Sequence, residues 1–408
     1  MIVQMLRRNI TCSHMNVGIE ALGVAVPPTC IAMEDLAKER RVDPAKYLDG
    51  IGTWRMAVAQ ADEDTVTLAA QAAQMALSSA GVSAQEIGLL VVGTETAVDH
   101  SKPVASYVQS LIGVGRRCRV FETKHACYGG TAALQLALEW IRSGSAAGRK
   151  ALIVCSDIAR YGLKTAGEPT QGAGAVALLV SDQPKLLSLE PDRTGICSND
   201  VHDFWRPLYS KDAFVDGPYS VQCYLDALTG AYEHFREKNP GVTTDSFAAL
   251  AYHVPYGKMA RKAHRQLRAI DGDPTPDATF DALVGHSLTL PAQVGNIYTG
   301  SLYLALASLL ATSPRSLDGQ KIGLFSYGSG SCAEFFAGTV TPGAQDRVKK
   351  LGLQAMLDAR RLLSIEEYEA VMRERESLDS RPAVRTNADG FRYLGVDGHK
   401  RTYVAPEA

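Results

Sequence analysis

Short apolar runs of strand length recur along this chain between segments of helical period, and this alternation constrains the fold more than any other feature. Residues 16–26, 87–93, 118–121, 151–155 and 173–180 each read as a strand. Residues 35–41 read as a short helix, and 65–80, rich in Ala, Leu and Met and ending before Gly81, as a long one. The segment 132–141 is apolar on almost every side and should be a centrally buried helix. A second half repeats the rhythm, with a strand at 247–252, helices at 256–270 and 301–311, and a strand at 321–325 that runs into Ser326-Tyr-Gly-Ser-Gly330. Strands alternating with helices imply mixed or parallel sheets covered on both faces. Between the halves, 187–225 is irregular and rich in Asp, Pro, Tyr and Trp, as expected of a loop that caps a site.

At 408 residues the chain can build two hydrophobic cores. Its 42 Lys and Arg nearly balance its 44 Asp and Glu, which excludes a broad electrostatic role toward nucleic acid. No apolar run is long enough to span a membrane, and residues 1–14 lack the apolar core of a secretory signal. Residues 1–15 therefore read as a disordered extension or a mis-called start. Eight cysteines at positions 12, 30, 118, 127, 155, 197, 223 and 332 form no CxxC pair and no zinc-spaced cluster. They point to free thiols in a reducing, cytoplasmic compartment, with no metal site.

Cys127 stands where a strand ends and an apolar helix begins. The helix terminus and free backbone amides there favour a thiolate and an oxyanion, and Gly129-Gly130 would let a substrate approach closely. The plain alternative is a small buried hydrophobe. Glu95 follows the strand 87–93, either as a solvated loop carboxylate or, in a dry cleft, as a general acid or base with a raised pKa. His253 ends a second-half strand, equally as a structural or a catalytic histidine. Lys258, Arg261, Arg265 and Arg268 share one helical face, which is either simply solvated or a landing strip for an anionic carrier such as the phosphates of coenzyme A. Gly295-Asn-Ile-Tyr298 and Tyr327-Gly-Ser-Gly330 are turn clusters, the second able to offer oxyanion-binding amides.

Nine ordered stretches resemble the 3-hydroxy-3-methylglutaryl-CoA synthase family of the thiolase superfamily. They are Val92-Gly-Thr-Glu-Thr96, Ala126-Cys-Tyr-Gly129, Ser156-Asp-Ile158 with Tyr161, Gly172-Ala-Gly-Ala-Val-Ala177, Asp203-Phe-Trp-Arg-Pro207, Val215-Asp-Gly217, His253-Val-Pro-Tyr256, Gly295-Asn-Ile-Tyr-Thr299 and Ser326-Tyr-Gly-Ser-Gly330. The resemblance implies a thiolase-like α/β fold in five αβαβα layers, with one half at 16–183 carrying the nucleophile and a second at 184–408 carrying capping loops. It implies a homodimer, Cys127 as nucleophile, Glu95 as general acid/base and His253 as the acetoacetyl-binding histidine. Asp157, Tyr161, Thr170, Asp203, Lys258, Lys262, Asn296, Tyr298 and Ser329 fall on positions that bind substrate or support the site. Coenzyme A thioesters enter as substrates and no cofactor is needed. His125 departs from the family, which commonly has Gln there.

The family includes a mevalonate-pathway branch, which joins acetyl-CoA to acetoacetyl-CoA, and a polyketide branch, which acts on β-ketoacyl groups carried by acyl carrier protein. Val17-Gly-Ile-Glu-Ala21, Ala263-His-Arg265 and Phe391-Arg-Tyr-Leu-Gly-Val396 fit the second. Val26-Pro27, Val42-Asp-Pro-Ala-Lys-Tyr47 and Val215-Asp-Gly217 look more like the first, which is the reading adopted here. A fatty-acid-type ketoacyl synthase fits poorly, because His253 lacks the following Gln-Ala-Asn. A non-catalytic thiolase-fold scaffold is opposed by Cys127, Glu95 and His253 occurring together.

Overall fold

The computed structural model describes residues 16–376 and 390–406, so the extension expected at 1–15 lies outside the described residues. Strands β1 (Val17–Ala25), β2 (Ile87–Gly93), β3 (Arg119–Thr123), β4 (Lys150–Ile158) and β5 (Ala173–Ser181) come from the first half of the sequence. Strands β6 (Leu187–Leu189), β7 (Gly195–Ser198), β8 (Ala249–Tyr252), β9 (Lys321–Gly328) and β10 (Cys332–Val340) follow. They join in the order β8-β9-β10-β6-β1-β5-β4-β2-β3, with β7 paired to β10. The pairs β2–β3, β2–β4 and β8–β9 are parallel, and the sheet is mixed. Every residue of β1, β2 and β5 is buried, which accounts for their mostly apolar sequence, and the exception inside β1, Glu20, pairs with Lys150 and Lys185.

The helices that cover these strands are α1 (Thr65–Ala80), α2 (Gly129–Arg142), α3 (Gly217–Lys238), α4 (Gly257–Ile270) and α5 (Ser301–Thr312). Asp64 caps α1 by accepting from the amides of Val66 and Thr67, and Gly81 ends it at φ 64°. Alanines along α1 bring its backbone onto β1, where a Cβ on Gly23 would lie 2.2 Å from the Ala72 carbonyl oxygen. Neighbouring residues of β4 reach opposite faces of the sheet. Ser156 donates to the Thr65 carbonyl of α1, whereas Cys155 Sγ lies against Gly130 of α2. Thr131 of α2 is 2.8 Å from both Tyr303 OH of α5 and Ser326 Oγ of β9, so α2 and α5 form an inner layer between the two parts of the sheet. With α1 outside one part and α3 and α4 outside the other, the layering is the thiolase-like αβαβα arrangement.

Two local expectations need correction. Helix α2 is not buried all round: Leu136 is 51% exposed and Glu139 is exposed as well. The irregular stretch ends at Asp216, not at 225, because Asp216 accepts from the Tyr219 amide and Pro218 sits in the first turn of the 22-residue α3. Its beginning is not irregular either, since β6 and β7 join the main sheet, and what remains, 199–216, is a capping segment holding a two-strand hairpin, Phe204–Trp205 against Phe214–Val215.

Candidate active site

Beyond β3 the chain makes a tight turn in which the Tyr128 amide donates to the His125 carbonyl and Ala126 takes φ 40°. This turn presents Cys127 two residues before the first helical residue, Gly129. Glycines let other strands press on it. A Cβ on Gly328 would lie 2.4 Å from the His125 carbonyl oxygen, and one on Gly93 would lie 2.6 Å from the Gly130 nitrogen. Gly130 admits the Cys155 sulfur, which would be 2.3 Å from an added Cβ. Gly130 therefore serves internal packing.

The Cys127 side chain keeps partial solvent access although dense protein surrounds its sulfur. Burial pushes its pKa well up, and the charges of Asp157, Glu95 and Asp203 push the same way. The thiol is thus protonated at rest. Burial and these carboxylates act against the lowering expected from the helix terminus.

Glu95 follows β2, and its side chain is only 10% exposed. Burial raises its pKa to about 7, against the pull of Arg206 and with help from Asp157. Arg206 Nε lies 3.2 Å from Glu95 Oε1, and its Nη2 donates to the Glu95 carbonyl. Beneath this pair, fully buried Asp157 organises the backbone. Its Oδ1 accepts from Thr94 Oγ1, the Glu95 amide and the amide and hydroxyl of Thr96, and its Oδ2 from the amide and hydroxyl of Thr299, all within 3.0 Å. Asp157 thus supports the site, with both oxygens taken by protein donors. Tyr161, Phe204 and Tyr298 pack edge to face at 5.8 to 6.4 Å around one wall, and the Tyr161 hydroxyl bonds to Tyr298 and Thr170.

From the capping segment, buried Asp203 accepts from Tyr327 OH at 2.8 Å, Ser220 Oγ at 3.2 Å and the Gly330 amide at 2.9 Å. One of the amides expected to bind an oxyanion is therefore already engaged, and the Ser329 amide is the remaining candidate in that turn. His253 lies at the carboxyl end of β8, its amide donating to the Phe325 carbonyl of β9 at 2.7 Å. Burial lowers its pKa to about 3, so its imidazole is neutral. Asn296 uses Oδ1 to hold the Tyr298 amide and Ser301 Oγ at the start of α5. Cys127, Glu95, Asp157, Tyr161, Asp203 and Tyr298 share one electrostatic neighbourhood. His253 stands at the end of β8 beside β9, whose Gly328 packs on the Cys127 turn.

On α4 the basic face is largely neutralised. Arg261 and Arg265 pair with Asp277 at 3.2 and 2.6 Å, and Arg268 with Asp273 at 2.6 Å. An arginine landing strip for an anionic carrier is thereby overturned, and Lys258 and Lys262 are left as its cations. Sequence reading also missed Arg206, whose only signal was its place in Asp203-Phe-Trp-Arg-Pro207. Among the described residues no cluster of metal-ligating side chains occurs, and no helix is long and apolar enough to cross a membrane.

Family models decide the assignment. Residues 13–185 match the hydroxymethylglutaryl-coenzyme A synthase N-terminal model, and 187–277 and 274–390 match the C-terminal model. The chain belongs to the hydroxymethylglutaryl-CoA synthase family. A hydroxymethylglutaryl-CoA synthase of Enterococcus faecalis is 43% identical over 88% of this chain and 92% of its own length. The polyketide biosynthesis 3-hydroxy-3-methylglutaryl-ACP synthase PksG of Bacillus subtilis is 36% identical over 88% of each. Among solved structures, MvaS in complex with 3-hydroxy-3-methylglutaryl coenzyme A superposes with a TM-score of 0.91 at 50% identity, covering 96% of this chain and 99% of that one. The curacin pathway HMG synthase in complex with acetyl donor-ACP gives 0.90 at 32% identity, covering 96% and 100%.

Proposed function

We propose that this family member condenses acetyl-CoA with acetoacetyl-CoA and hydrolyses the product thioester to 3-hydroxy-3-methylglutaryl-CoA. The observation that carries the reading is a carboxyl with a pKa near 7, Glu95, held in electrostatic contact with the thiol of Cys127. Cys127 Sγ attacks the acetyl carbonyl, its proton passes to a nearby base, and the CoA sulfur leaves and is protonated. Glu95 as carboxylate then takes a proton from the acetyl methyl group, and the resulting enolate adds to the ketone carbon of the acetoacetyl thioester. His253, neutral, donates a hydrogen bond to that acceptor. Protonation of the new alkoxide and attack of water on the enzyme thioester release the product and restore the thiol.

A narrow crevice lined by Gly52, Val254, Pro255, Tyr256 and Gly295 runs beside His253, under the start of α4. Lys258 and Lys262 near its rim supply positive charge for coenzyme A phosphates. As a homodimer contact we propose the outer edge of β3 together with exposed Leu136, to be tested by light scattering. The cysteine pattern supports a cytoplasmic location.

A carrier-protein substrate is the second reading, favoured by the likeness to PksG and the curacin enzyme. Side-by-side turnover of acetoacetyl-CoA and an acetoacetyl carrier protein separates the two. Faster kcat/KM for the CoA thioester is expected, and preference for the carrier would overturn the choice.

A further inference from the structure

Behind the Arg206–Glu95 contact lies a cavity of about 280 Å³ that none of Cys127, Glu95 or His253 lines. Its walls come from residues 56–59, the chain just after β4, residues 171–173 and the helix Ile365–Glu376. Arg160 and Arg375 stand on opposite elements of this wall, with Met56 and Met372 supplying apolar surface.

Arg160 is half-buried at this wall. Its backbone amide faces Tyr298 OH at 3.4 Å, but its guanidinium makes no hydrogen bond and no ion pair among the described residues. Arg375 donates from Nη1 only to carbonyls, those of Ala59, Gln60 and Glu63 at 3.2, 2.5 and 2.7 Å. Two guanidinium groups that repel one another are thus held at one cavity without a bonded carboxylate. Burial and the neighbouring arginines push both pKa values down, Arg375 to about 10. Asp212 and Lys211 also line the cavity, while Asp64 attracts both guanidinium groups and Glu63 attracts Arg375. Buried charge of one sign is costly unless it is paired, and a planar guanidinium with free N–H groups matches oxyanion geometry. The space accommodates a small anion with its residual water.

We infer that this cavity is a binding site for a small, multiply oxygenated anion, inorganic phosphate or a short dicarboxylate, clasped between Arg160 and Arg375. It is separate from the phosphate-binding role given to Lys258 and Lys262. It adjoins the active site, since Arg160 also acts on the Glu95 carboxyl, but none of Cys127, Glu95 or His253 lines the cavity.

Calorimetric titration of the whole, CoA-free protein with inorganic phosphate, and separately with malonate, in low-chloride buffer tests this. Saturable binding of either probe is expected, and the probe that binds identifies the anion class. Arg160→Gln should weaken it at least about tenfold, as loss of a charge-assisted pair does, while Arg160→Lys retains part of the affinity. The double variant Lys258→Gln with Lys262→Gln should bind the probe as the parent does. Absence of saturable binding by both probes, unchanged affinity in folded Arg160→Gln, or loss in the double lysine variant would overturn the assignment. If Arg160→Gln fails to fold, Arg160→Lys binding as tightly as the parent overturns it as well.

Discussion

Burial lifts the Glu95 carboxyl while Arg206 pulls it down, and the balance leaves it near 7, where it can both accept and return a proton. With Glu95 as the proposed base, acting as carboxylate, condensation should rise as pH passes upward through about 7. Removing Arg206 takes away the main downward pull, so Arg206→Gln should move that acid limb to higher pH. A pH–rate profile in which the limb stays in place or moves down counts against the role given to Arg206. Glu95→Gln should cost about 10² to 10⁴ in condensation while Cys127 is still acetylated, measured by product formation against enzyme-bound acetyl.

At the level of elements, the site is assembled by strand ends and glycine contacts. Gly328 of β9 rests on the nucleophile turn so closely that Gly328→Ala would force the His125 carbonyl or Tyr128 to move. Slower acetylation of Cys127, measured by rapid quench, together with a lowered unfolding temperature is expected. Asp157 ties the Glu95 loop to the turn before α5. Asp157→Ala removes the shared acceptor of six donors, of which the Thr96 amide and the Thr299 hydroxyl keep another partner, and should destabilise by about 3 kcal/mol or more, seen as a drop in denaturation midpoint together with lost activity.

For the whole molecule, two buried histidines set an acid limit. His253 and His264 have folded pKa values of about 3 and 4. Unfolded histidine titrates near 6.5, so the unfolded chain takes up protons that the folded chain refuses. The stability they confer is full above about 6.5 and is lost as pH falls toward 4, at about 1.4 kcal/mol per pH unit for each histidine. Thermal melts between pH 7 and 5 should show this decline, and His264→Gln should flatten it. Much of this architecture was legible in the sequence. Residues 65–80 and 87–93 carry their boundaries in Asp64, Gly81 and a run of buried apolar residues, so both elements stand where the pattern puts them. Helix α3 was hidden, because Tyr224, Leu228, Ala231, Tyr232 and Phe235 face the core from a segment whose other residues are polar and whose start adjoins an aromatic loop. The family could be named from motifs around Cys127, Glu95 and His253. The raised Cys127 pKa, the Arg206 partner and the neutralised arginines of α4 could not, because each depends on side chains brought in from distant positions.

Mass spectrometry of protein quenched after mixing with acetyl-CoA alone tests the central claim most directly. An acetyl group mapped to Cys127, and discharged into product when acetoacetyl-CoA is added, is the predicted result. An unmodified Cys127 in a protein that still forms product, or acetyl on another residue, would contradict it.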